Sequence, residues 1–156
     1  MASGVGPVWR YAGDEASEKA IRHAESCLGV RFPADYRECV REHGGGAPDP
    51  SGFVVSSGAS GTFRSSVGVL LSLDPQEPEN VVTTATDLRI DRGLPEGLVP
   101  IINDGSGDYV CLDYRDDPSA AAPRVVFWSK SASGGPEFFD LAATFDEFLR
   151  KLEPEP

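Results

Sequence analysis

The chain has 156 residues, 40% of them apolar, and a formal net charge of −11 from 14 Lys and Arg against 25 Asp and Glu. That length fits one domain with its own core, and that apolar share excludes a wholly disordered chain. Acidity on this scale keeps a protein soluble, repels nucleic-acid phosphates and anionic membranes, and attracts a basic protein partner.

Residues 1–13 are Gly-rich and are expected to form a loose arm ahead of one domain over 14–152 and a short tail, 153–156. Met1–Gly6 carries no positive charge and no apolar run, so no signal peptide is read there. Apolar runs such as Val67–Leu71 are far shorter than the roughly 20 residues that span a bilayer. A cytoplasmic location is the resulting expectation.

The first helix is predicted over Ser17–Leu28, with Ala20, Ile21, Ala24, Cys27 and Leu28 on one apolar face. Ser17 suits its N-cap, and Gly29 suits a left-handed end. A short link leads to Pro33, which fits the first position of a second helix running to about His43. Tyr36, Cys39 and Val40 are predicted to be buried there, and Gly44–Gly46 stop it. The two helices should form a hairpin.

Strand-like segments follow at Gly52–Ser56, Thr62–Phe63 and Val67–Leu73. Asn80–Ile90 fits either a short helix or a loop. Leu98–Ile102 and Tyr109–Asp113 flank the turn residues Asn103–Asp108 and read as a β-hairpin, with Gly105 or Gly107 at positive φ. Arg124–Trp128 is another strand. Thr144 and Glu147 form a capping box for a last helix reaching Leu152. The order predicts an α+β fold: an N-terminal helical pair, a mostly antiparallel sheet of about five or six strands, and a C-terminal helix. The predicted core is Ile21, Leu28, Phe32, Tyr36, Val40, Ile101, Val110, Leu112, Val126, Phe145 and Leu149.

Catalytic patterns fit poorly. Gly58-Ala59-Ser60-Gly61 lacks the last glycine of a nucleophile elbow. His23 and Cys27 stand one helical turn apart, but Cys27 reads as a buried thiol. Three scattered cysteines make neither a disulfide framework nor a zinc set. No phosphate-binding or dinucleotide fingerprint occurs. Asp104, Ser106 and Asp108 alternate like calcium ligands, yet the loop lacks the glycine and glutamate that an EF-hand needs, and Asp side chains bonding the turn backbone are the simpler reading. No catalytic residue, metal or cofactor is therefore expected.

Three segments resemble the SUKH superfamily. They are Ala24-Glu25-x-x-Leu28-Gly29-x-x-Phe32-Pro33-x-Asp35-Tyr36-Arg37 ending in Gly44-Gly45; Leu94-Pro95 running into Val99–Asp113; and Val125–Trp128 with Leu141-Ala142 and Thr144-Phe145-x-x-Phe148-Leu149. His43 stands where Asn often precedes the Gly-Gly pair, and Phe32 where Leu is usual before Pro. That family includes yeast cell-wall regulators and bacterial immunity proteins that neutralise polymorphic toxins. The resemblance implies a protein inhibitor of a nuclease or deaminase toxin; the alternative it leaves is a regulatory or scaffolding domain without a toxin.

The residues themselves point to one negative patch for a basic partner. Asp104, Ser106, Asp108, Asp113, Asp116 and Asp117 lie on one hairpin and the loop after it, with Tyr109, Tyr114 and Trp128 as candidate apolar anchors. Gly44, Gly45, Gly105 and Gly107 are expected to shape turns. Reversing Asp116 and Asp117 to Lys is expected to slow association.

Overall fold

The computed structural model describes residues 7–154 apart from 12, 14, 57–60 and 132–134; of 130, 131 and 135–137 only the backbone is described. The incomplete nucleophile-elbow segment therefore lies almost wholly outside the described residues.

Helix α1 (Glu18–Leu28) begins at Ser17, whose hydroxyl accepts the Ala20 N–H, and ends at Gly29 with φ 69°. Helix α2 (Ala34–His43) starts one residue later than the sequence suggests, because Pro33 sits in extended backbone as the cap. The carboxylate of Glu25 fixes the angle between the helices: it accepts the Phe32 N–H at 2.7 Å and pairs with Arg37 at 3.2 Å.

Five strands form the main sheet in the order β5 (Val69–Leu70), β6 (Leu98–Asn103), β7 (Tyr109–Asp113), β8 (Arg124–Ser131) and β9 (Gly135–Ala142). Every pairing is antiparallel. The fold is thus α+β, with helices at both ends of the chain and a five-stranded antiparallel sheet. Two further antiparallel pairs flank it: β1 (Val8–Arg10) with β2 (Ala47–Asp49), and β3 (Gly52–Ser56) with β4 (Thr62–Ser66). Strand β1 corrects the expectation of a wholly loose N-terminal arm. Strand β9 is also new; its Gly-Pro start resembles a turn, but proline is tolerated on an edge strand, where its missing N–H breaks no ladder. The ambiguous segment is helix α3 (Val81–Arg92), capped by the Asn80 side chain on the Thr83 N–H at 2.9 Å and closed by Gly93 at φ 73°. Helix α4 (Phe145–Arg150) is capped by Thr144 on the Glu147 N–H, while Glu147 accepts the Ala143 N–H.

The larger core joins Ile21, Phe32, Tyr36, Val40, Ile101, Val110, Leu112, Phe127, Phe145 and Phe148. A smaller cluster joins Leu88 of α3 and Leu94 to Leu98, Cys111, Val126 and Trp128. Residues Cys111, Val126 and Trp128 alternate with Val110, Leu112 and Phe127 along β7 and β8, so these strands bury both faces. Of the predicted core, Leu28 and Leu149 are only partly buried, packed at its margin.

Candidate partner-binding surface

The β6–β7 turn is built around Asp104, which is 8% exposed. Its carboxylate accepts the backbone N–H of Ser106 at 2.8 Å and of Asp108 at 3.1 Å, and the hydroxyls of Ser106 and Ser65, each at 2.9 Å. Gly105 and Gly107 have φ of 89° and 102°. Arg92 reaches from α3 to donate to the Gly107 carbonyl at 2.7 Å. The Asp104 and Asp108 carboxylates that resembled calcium ligands are thus held by N–H and O–H donors, the Ser106 hydroxyl among them, and among the described residues no group of His, Cys, Asp and Glu is arranged to hold a metal.

Asp108 accepts a hydrogen bond from Ser129. At the far end of β7, Asp113 and Arg115 form a two-point ion pair with contacts of 3.0 and 2.9 Å. Partial desolvation pushes the Asp113 carboxyl up, but the Arg115 hydrogen bonds and charge more than reverse that and hold it below its ordinary value. Asp117 is fully exposed, and the N–H and hydroxyl of Ser119 lower its pKa. The Tyr114 ring is buried, and its hydroxyl donates to the Arg31 carbonyl at 2.6 Å, tying the loop to the α1–α2 link. Trp128 is fully buried, and Tyr109, opposite it across the strands, is partly so.

These residues do not form the single patch expected from their closeness in sequence. Tyr109 and Asp113 bound a five-residue strand, so the Asp104–Asp108 turn and the Asp113–Asp117 loop are separated by about 14 Å along it. Trp128 and Tyr114 face the interior: Leu88 and Leu94 cover Trp128 on the second face of the sheet, and the Arg31 contact holds Tyr114. Only Asp116 and Asp117 of the group are exposed carboxylates.

A different concavity carries more charge. A groove of about 590 Å³ is lined by Pro7 and Trp9 of the N-terminal segment, by Ala34, Asp35, Glu38, Cys39, Glu42 and His43 of α2, and by Asp146 and Leu149 of α4. The spacing of 35, 38 and 42 places three carboxylates along one side of α2. Asp35 is structural: it accepts the Tyr36 N–H at 2.7 Å and the Asp146 N–H at 2.9 Å, joining the two helix starts. Asp146 pairs with Arg150 at 3.0 Å. Glu42 lies 3.8 Å from the His43 imidazole, and Glu38, which is exposed, has no hydrogen-bond or ion-pair partner among the described residues. Trp9 stacks on His43 with ring centroids 5.1 Å apart. Sequence reading missed this groove because β1 was hidden in a Gly-rich segment; the i, i+3, i+7 carboxylates of α2 were the available signal. Gly44 and Gly45 end α2 beside it, Gly45 at φ 87°.

Cys27 corrects its expected burial: it is exposed, with its sulfur 3.5 Å from His23 Nε2. It lies at the edge of the face that buries Ile21 and Ala24, one turn from His23. Cys39 is pushed up to about 12 by burial first and then by Glu42 and Asp35, and burial also pushes the Cys111 thiol up. Since the thiolate is the reactive form, a disulfide reagent near pH 8 is expected to modify Cys27 in one fast phase and the other two slowly. Cys27→Ser should abolish that phase; equal rates for all three thiols would contradict the burial assignments.

The layout is that of a small α+β domain in which a helical pair and a terminal helix pack on an antiparallel sheet. The SMI1 / KNR4 family (SUKH-1) model matches residues 15–151, and the chain belongs to that family. A comparison with curated proteins found no match. No described helix is long and apolar enough to cross a membrane.

Proposed function

We propose that this domain is an immunity protein that binds a cognate toxin of a polymorphic toxin system and blocks its basic nuclease or deaminase domain in the cytoplasm. The observation that carries this reading is a net charge of −11 on a domain of the SUKH-1 family. A toxin that grips nucleic-acid phosphates presents a positive surface, and an acidic inhibitor competes for it and gains a fast encounter. The domain acts by occupancy and not by turnover.

The test begins with capture of the partner by the purified chain. The captured protein expressed alone should arrest growth, and co-expression of this chain should restore it. The association rate should fall about tenfold or more from low to high salt while dissociation changes less. Relief of toxicity is also what separates this reading from a regulatory or scaffolding domain: a captured partner that is harmless on its own would favour the latter.

A further inference from the structure

We propose that the groove between α2, α4 and the N-terminal strand is a receptor for an arginine-bearing segment of a protein partner. The proposal rests on the binding reading above and names its contact surface. Three features converge there. The first is shape: about 590 Å³ of open concavity takes a long side chain and its neighbours. The second is uncompensated charge: among the described residues four carboxylates line the groove, and no lysine or arginine does. Arg150 neutralises Asp146 from outside, and Asp35 is spent on two backbone N–H groups, which leaves Glu38 and Glu42 available to a cation. The negative field of the groove is felt by the Cys39 thiol, on which Glu42 and Asp35 act in the same direction as burial. The third feature is the partly exposed Trp9 ring, held by its stack on His43.

An aromatic ring beside carboxylates that hold no lysine or arginine among the described residues suits a guanidinium better than an ammonium. The guanidinium is planar, lies against an indole, and meets carboxylates in a two-point geometry that a lysine lacks. Glu38 and Glu42 are one turn apart, so a single guanidinium can reach both. The acidic turn at Asp104 offers no such site, because its carboxylate is already occupied by four donors.

The full chain titrated with a hexa-arginine peptide at low salt, read by tryptophan fluorescence, tests the proposal. Trp9 lines the groove and Trp128 is buried away from solvent, so the change reports on Trp9. Saturable binding is expected, with hexa-lysine several-fold weaker. Glu38→Lys with Glu42→Lys should weaken it at least tenfold. Asp87→Lys with Asp91→Lys makes the same change of formal charge on α3, which contributes no residue to the groove, and should weaken it less than threefold. Glu38→Gln with Glu42→Gln gives the same answer without charge reversal, should the reversed pair fold poorly. Equal weakening by the groove and α3 variants, or no saturable binding, would overturn the proposal; equal affinity for hexa-lysine would overturn its arginine preference. None of these measurements uses a toxin, so their failure leaves the immunity reading standing, and a harmless captured partner leaves the groove standing.

Discussion

Replacing Trp128 by alanine is expected to cost about 4 kcal/mol of unfolding free energy, the largest single loss foreseen for this chain. The indole is fully buried among Leu88, Leu94, Leu98, Cys111 and Val126, with Tyr109 and Phe138 at its margin. Truncation leaves a ring-sized void on the side of the sheet that has the smaller cluster and few other apolar groups to close it. The Nε1 donor has no hydrogen-bond partner among the described residues. Trp128→Phe therefore removes a buried unsatisfied N–H while leaving a smaller ring, and should cost only about 1–2 kcal/mol. Urea unfolding of both variants measures the difference. The same pair separates packing from recognition: if Trp128 served as a partner anchor, the phenylalanine variant would lose binding while staying folded. The expected result is a lower midpoint with wild-type association kinetics, and an alanine variant within about 1 kcal/mol of wild type would refute the packing account.

The backbone framework was legible where caps and periodicity agreed. Ser17 and Gly29 bound α1, Thr144 and Glu147 start α4, and Gly105 and Gly107 take positive φ in the predicted turn. Each is a local device whose chemistry acts within a few residues. Helix α3 was ambiguous between helix and loop because Val81-Val82-Thr83-Thr84 is a β-branched run of low helix propensity, whereas the deciding groups, Asn80 and Gly93, lie outside the run. The strands β1 and β9 were missed because glycine and proline at their starts read as turns, while ladders to β2 and β8 decide them.

The candidate site was legible only in composition. Acidity points to a basic partner, but closeness in sequence does not place these residues close in space. A five-residue strand separates Asp104 and Asp108 from Asp116 and Asp117, and Leu88 of α3 with Leu94 covers the face that carries Trp128. The groove, by contrast, assembles Trp9, Glu38, Glu42 and Asp146 from three elements far apart in the chain. No local pattern brings β1 against α2; only the pairing of Val8–Arg10 with Ala47–Asp49 just after the helix does so.

Replacing Asp104 by alanine is expected to cost about 3 kcal/mol, and its interest lies in separating turn structure from partner binding. The carboxylate accepts from the backbone of Ser106 and Asp108 and from the hydroxyls of Ser106 and Ser65. Hydrogen bonds to a charged group contribute about 1.5–3 kcal/mol each. Simple addition would overshoot, since Ser106 is exposed and water replaces part of what it loses. The Ser65 bond spans 39 residues and ties β4 to the sheet, so its loss loosens a tertiary contact as well as a turn. Asp104→Asn keeps an acceptor for the backbone N–H groups and a donor that Ser65 can accept, and should recover most of the stability, leaving a cost of about 1 kcal/mol. For a chain of this length, 3 kcal/mol corresponds to a fall in Tm of about 6–12 °C. If Asp104 acted chiefly on the partner, both variants would bind poorly at nearly wild-type Tm. The structural account instead expects a large drop in Tm for alanine, a small one for asparagine, and an unchanged association rate for whichever variant is folded at the assay temperature.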